Sequence, residues 1–356
     1  MNPMRPGRRR WLARAGALGA VGLLSACASL TASQTRALLA QPPADLPARV
    51  EWTQVPFFPQ EINQCGPAAL ATALGAVGVP IAPEVLGTAV FVPAREGSLQ
   101  IEMLAAPRRH GHIATRIRPD LVSLLREVAA GQAPVVLLNL GLSIQPLWHY
   151  AVVVGYDLPA GEILLRSGTV QREVMPLSTF EHTWSRSSQW AFVVLPPDRL
   201  PAQADEAAVT EARIAFERVA PAPQAALAYR TAWQRWPDSL LLGMGLGNTL
   251  YAAGELPEAE AAYARVAQRH DSAPAWHNLA RVRLERRDLT GAHTAAEAAV
   301  PEARSLFVST VKQMSVEDAR QVVRGGETAV TDWVSAKTRA PLGEMFLPIV
   351  TRVVET

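Results

Sequence analysis

The sequence predicts a multidomain protein: an α+β domain on an antiparallel sheet, then an all-α array of helical repeats, then a helical C-terminal segment. Three observations carry this. Short apolar runs bounded by Gly, Pro and Asp fill much of residues 135–195 and read as strands. From Asp205 onward the chain turns alanine-rich, with no strand signal. Within that second half a motif returns after 33 positions, which marks stacked structural repeats.

With 356 residues, 49% of them hydrophobic and 19% charged, the chain is long enough for more than one domain and too apolar for disorder. The formal net charge is +2, and its positive part is almost all arginine, Lys312 and Lys337 being the only lysines. No basic block occurs beyond the first fourteen residues, so nucleic acid is not an expected partner. No cofactor motif or metal-ligand set stands out, and neither group is expected.

The N-terminus carries an export signal. Arg8, Arg9 and Arg10 precede an apolar stretch, Ala15 to Ala26, too short to span a bilayer. The stretch ends in Leu24-Ser25-Ala26-Cys27, which resembles the bacterial lipobox. That resemblance implies a signal peptide over 1–26 and a lipidated N-terminus at Cys27, anchoring the exported protein to the cell-envelope membrane. Arg8-Arg9-Arg10-Trp11-Leu12 also resembles a twin-arginine signal, with Trp in place of the usual Phe. Ala28 supplies no inner-membrane retention aspartate, which favours the periplasmic side of the outer membrane in a host that has one. Residues 27–49, with Gln41-Pro42-Pro43 and Pro47, read as a tether. With Cys27 consumed by lipid, Cys65 is left as a thiol with no disulfide partner in an oxidising compartment, which tilts it towards chemistry.

The first domain is expected over 50–198. Helices are predicted near Pro67–Val77 and Pro119–Ala130, and strands at Val135–Asn139, Tyr150–Tyr156, Ile163–Arg166 and Trp190–Leu195. Pro196-Pro197-Asp198-Arg199-Leu200-Pro201 breaks the chain. Beyond it, Gly254-Glu255-Leu256-Pro257-Glu258-Ala259 returns as Arg287-Asp288-Leu289-Thr290-Gly291-Ala292, with Asp238 mapping onto Asp271 and Ala262 onto Ala295. A partial copy, Ala225–Pro237, precedes Ala259–Asp271 by 34. This period with small residues at packing positions resembles the tetratricopeptide repeat, which implies paired helices over 205–305 and a protein partner on their surface. Residues 306–356 form the helical C-terminal segment. Its sequence, with VKQMSVEDARQVVRGGETAV and FLPIVTRVVE, resembles part of an exported helical family of unknown function over about the last 48 residues. These helices are expected to cap the array.

A candidate site gathers at QEINQCGPAALATAL, residues 60–74. Gly66-Pro67 suits a helix start, so Cys65 lies where the macrodipole favours a thiolate and lowers the thiol pKa. Gln60 offers a side-chain N–H that, with the Cys65 amide, suits an oxyanion. Of the four histidines of the first domain, His110 and His112 sit in a basic loop and His182 in a local helix, all read as surface. His149 opens directly into the apolar strand Ala151–Tyr156, which gives its imidazole a rigid mount.

Gln60, Cys65-Gly66-Pro67-Ala68-Ala69-Leu70 and His149-Tyr150-Ala151-Val152-Val153-Val154-Gly155-Tyr156-Asp157 together resemble the C39-type branch of papain-like cysteine peptidases. The similarity is greatest to a stand-alone lipoprotein subgroup carrying tetratricopeptide repeats, and covers about residues 50–305. It implies a peptide or protein substrate, Cys65 as nucleophile, His149 as general base and then acid, and Gln60 in the oxyanion hole. The third residue departs from the pattern. Asp157 is eight residues along the strand from His149, about 26 Å, and reads as a hairpin-turn residue. The return strand brings positions near 166–169 level with His149. Where the family has Asp-Pro, this chain has Arg166-Ser167-Gly168. Ser167, or Asn139 at the end of the preceding strand, is left to orient the ring, without the charge of a carboxylate. The same residues are compatible with a non-catalytic peptide-binding lipoprotein, or with an acyl transferase or amidase working through the same thioester.

Overall fold

The computed structural model describes residues 32–59, 64–95, 97–142, 144–324, 329 and 332–338. Cys27, Gln60 and the export signal lie outside the described residues. The chain divides into two compact units, one of residues 1–106 with 116–194, the other of 107–115 with 195–356.

The first unit begins with α1 (Ser33–Ala40), then β1 (Arg49–Glu51), α2 (Cys65–Ala76), α3 (Pro83–Val90), β2 (Phe91–Val92), β3 (Gly97–Ser98) and α4 (Gln100–Ala105). After β4 (Ile113–Arg116), which falls mostly within the 107–115 segment of the second unit, come α5 (Leu121–Ala129), β5 (Val135–Asn139), β6 (Trp148–Asp157), β7 (Glu162–Ser167), β8 (Val170–Pro176), α6 (Leu177–Ser185) and β9 (Ala191–Leu195). Within the first unit the sheet order is β9-β5-β6-β7-β8, with β1 also paired to β6. Strands β1, β5, β6, β7, β8 and β9 pair antiparallel with one another.

Central strands bury both faces, which is why β5 and most of β6 read as unbroken apolar runs rather than alternating ones. Helix α2 is buried from Gly66 to Leu74 and packs against β6 and β3. Its alanines and Gly66 permit that approach, since a side chain at Gly66 would overlap Ser98 and press on Met103 Sδ at 3.3 Å. Asp120 caps α5 by accepting from Ser123 N at 2.7 Å. At the β6–β7 turn, Asp157 Oδ1 accepts from Ala160 N at 3.0 Å, the carboxylate pairs with Arg49 at 2.7 Å, and Gly161 takes a φ of +68°.

The expected tether is folded from Ser33. In α1, Thr35 and Leu38 are buried, and Glu181 of α6 accepts from the backbone N–H groups of Gln34 and Thr35 at 3.0 and 2.7 Å. A carboxylate at a helix N-terminus satisfies amides that have no partner within the helix. Two buried side chains leave too faint a periodicity to mark this helix in the sequence.

The second unit contains α7 (Glu206–Glu217), α8 (Ala222–Arg235), α9 (Leu240–Ala252), α10 (Leu256–His270), α11 (Ala273–Glu285), α12 (Leu289–Lys312) and α13 (Val316–Arg324). The repeat is visible in the backbone. Leu256 and Leu289 each open a helix 33 positions apart, Ser239 and Ser272 stand at the N-caps of α9 and α11, and Ala262 and Ala295 are both buried. Gly254 and its counterpart Arg287 share the left-handed conformation, φ +80° and +63°. Close packing explains the glycines of α9: a side chain at Gly245 would overlap the Tyr229 ring, and one at Gly247 the Tyr263 ring. The boundary expected at 305/306 falls inside α12, a single helix of 24 residues.

Candidate active site

Cys65 opens α2. Its N-cap, Gln64, makes no side-chain bond to the helix, and Pro67 has no amide, so Cys65 and Gly66 supply first-turn N–H donors. Those two amides and the backbone of Tyr150 favour the thiolate of Cys65. Tyr150 follows His149 on β6, so the thiol sits against the strand that carries the imidazole. Tyr150 is itself fixed: its hydroxyl donates to Ser98 O at 3.2 Å, and its ring meets Trp190 edge-on with centroids 5.9 Å apart.

His149 Nε2 lies 2.9 Å from Ser167 Oγ. Pairing of Val152 with Arg166 puts Ser167 level with Ala151, and His149 is two residues further along the same face. Ser167 Oγ therefore reaches the ring diagonally across the ladder. In the tautomer whose Nδ1 is free to take a proton, Nε2–H donates to Ser167. Ser167 is held at the end of β7 by the turn that begins with Gly168, φ +55°, where Ser167 pairs with Val170.

The other candidates for the third position are engaged elsewhere. Asn139 Oδ1 accepts from the N–H groups of Gly141 and Leu147, both at 3.0 Å, and so shapes the loop before β6. Asp157 stays at the far turn. Arg166 is buried and donates to Thr53 O at 3.1 Å and Val55 O at 3.3 Å, stapling the segment that precedes α2. His110 and His112 belong to the second unit, where His112 Nδ1 is 2.8 Å from the carbonyl of His110. His182 lies on α6, as its local pattern predicts. Among the described residues no group of three or more His, Cys, Asp or Glu is arranged to hold a metal ion.

Electrostatics correct one expectation. The macrodipole alone would lower the thiol pKa, yet burial pushes Cys65 up, outweighing the backbone amides that favour the thiolate. Burial likewise pulls His149 down, with Glu173 on β8 opposing it. Both effects favour the uncharged forms of the thiol and the imidazole. Helix α2 is buried almost to its first residue, and desolvation there outweighs the backbone N–H groups of its first turn.

Sequence reasoning missed two contributors. Glu173 is the carboxylate that acts on His149, but its strand is largely exposed and lacks the apolar run that marks the others. Ser98 Oγ is buried without a hydrogen-bond partner and lies against Gly66. The short strand β3 gives no periodic signal that would reveal it.

Comparisons with known proteins follow the same division. A tetratricopeptide-repeat model matches residues 222–282, and a model described as a protein of unknown function (DUF4197) matches 287–356. The second match begins earlier than the 48-residue resemblance in the sequence and takes in all of α12. No curated protein matches the chain. Among solved structures, a C39-like peptidase from Bacillus anthracis is similar at 17% identity and TM-score 0.35, over 41% of this chain and 97% of that one. A double glycine motif protease from an AMS/PCAT transporter, in complex with its leader peptide, shows 19% identity and TM-score 0.31, over 40% of this chain and 93% of that one. The peptidase domain of Streptococcus ComA, a bi-functional ABC transporter involved in quorum sensing, shows 20% identity and TM-score 0.32, over 40% and 99%.

Proposed function

We propose that this protein is a lipid-anchored cysteine peptidase in which Cys65 is the nucleophile, His149 the general base and acid, and Ser167 the residue that positions the ring. One observation carries the reading. The thiol lies at a helix start against the Tyr150 backbone, while the adjacent imidazole is held at Nε2 by Ser167, leaving Nδ1 for the proton. As Sγ attacks the scissile carbonyl carbon, the thiol proton passes to His149, and the oxyanion receives the Cys65 N–H and the side chain of Gln60. The C–N bond then breaks as His149 returns that proton to the leaving amine. Water, deprotonated by the same ring, hydrolyses the thioester and frees Cys65. Burial favours the uncharged thiol and imidazole, so in this reading proton transfer accompanies attack.

Cys27 carries the lipid in this reading, and the repeats of the second unit hold a protein substrate or partner. A non-catalytic peptide-binding role is favoured by one observation, the hydroxyl of Ser167 in place of a carboxylate beside His149. Digestion of a peptide library with mass-spectrometric readout separates the two. Cleavage that falls by about a thousandfold or more in both Cys65→Ala and His149→Ala is expected of a catalytic pair. Cleavage indifferent to Cys65→Ala, or none in the wild type, would sink the peptidase reading. Products joined to an added amine in place of water would identify a transferase.

A further inference from the structure

We propose that the hairpin joining β5 to β6 is a second membrane contact, which orients the domain that carries Cys65 on a lipid bilayer; this rests on the acylated Cys27 of the preceding reading. No charged residue occurs between Asn139 and His149. Leu142, Ile144, Leu147 and Trp148 are exposed there at 63, 92, 61 and 49%. Large apolar side chains grouped on one projection mark an interaction surface.

The projection is braced. Leu140 N donates to Leu147 O at 2.9 Å, Leu142 N to Gln145 O at 3.1 Å, and Arg186 donates to the carbonyls of Asn139 and Gly141 at 3.1 and 2.6 Å. Trp148 and Arg186 at its base are residue types that settle at headgroup level beneath an inserted apolar tip.

The position of α1 selects a bilayer as the occupant. Glu181 of α6 holds the first amides of α1, and Arg186, just past the end of α6, holds the hairpin base. Arg186 stands five positions after Glu181, a rise of about 7.5 Å at helical pitch. Ser33 stands six positions after Cys27, a reach of about 20 Å when extended. An acyl anchor on Cys27 therefore brings the bilayer within reach of Leu142 and Ile144. A single tether leaves a domain free to turn, and a second contact fixes which face meets the lipid.

The test uses the lipidated full chain reconstituted in phosphatidylcholine vesicles with and without brominated acyl chains. A quenched emission component absent from Trp148→Phe is expected. In L142E/I144E the docked population should fall about tenfold or more while the protein still sediments with vesicles. An acylated Cys27 with Trp148 unquenched overturns the docking alone, as does quenching unchanged in L142E/I144E. Slower cleavage of apolar peptides by L142E/I144E without any Trp148 quenching assigns the hairpin to substrate and also overturns it. A Cys27 without an acyl mass removes the anchor, and this contact with it.

Discussion

Replacing Ser167 by aspartate should raise the imidazole pKa and shift the Cys65–His149 pair towards its charged form. Ser167 Oγ is 2.9 Å from His149 Nε2, and a carboxylate oxygen in its place would face the same nitrogen. Opposite unit charges about 4 Å apart interact by about 4 kcal/mol at an effective dielectric of about 20. Ser167 is buried, so desolvating the new carboxylate removes part of that. A net effect of about 1.4–2.8 kcal/mol raises the imidazole pKa by about one to two units. At present burial lowers it. Protonated at higher pH, the ring stabilises the Cys65 thiolate, so iodoacetamide labelling at about pH 6.5 should accelerate about tenfold. Ser167→Ala removes a hydrogen bond worth about 1 kcal/mol and should lower kcat/KM about fivefold. The assay is labelling rate against pH for wild type, S167A, S167D and S167D/H149A, with near-UV circular dichroism as a check on folding. If S167D keeps wild-type structure and a wild-type labelling profile, Ser167 does not act on the ring.

Other consequences are open to direct measurement. His149 is depressed in the folded chain, so it contributes stability above about pH 6.5 that is lost as pH falls through its lowered folded value. Denaturant melts between about pH 7 and 5 should show a shallower loss in His149→Gln. Gly66→Ala presses on Ser98 and Met103 and should cost about 1–3 kcal/mol by the same melts, with slower Cys65 labelling. Glu181→Ala strips the carboxylate from the α1 amides; a loss of about 2–4 kcal/mol and new proteolytic cuts between 33 and 48 are expected. Arg287→Gly relieves a left-handed φ of +63° and should stabilise the second unit by about 0.5–1 kcal/mol, since relief of about 1–2 kcal/mol is partly offset by chain entropy.

What the sequence disclosed follows from how much each element buries. Strands β5, β6, β7 and β9 are buried nearly throughout, so their apolar runs lie open to reading, as do the 33-residue repeats whose caps and small residues recur. Strands β1 and β8 sit at a bulge and an edge, and their exposed side chains follow no apolar rule. The site divides in the same manner. Cys65 and His149 were legible because each stands at the end of a strongly patterned element, and Ser167 because the turn at Asp157 sets the register of β7. The protonation state was not legible, because it depends on how much water the packed first turn of α2 excludes, a property of the whole fold rather than of the helix. The macrodipole, which the sequence does reveal, is the smaller effect and has the opposite sign. With desolvation dominant, a hydroxyl rather than a carboxylate in contact with the His149 ring and the raised thiol pKa act together. Each removes charge from the resting site, so in the proposed peptidase the oxyanion donors would have to stabilise the charge that develops as the bond to carbon forms.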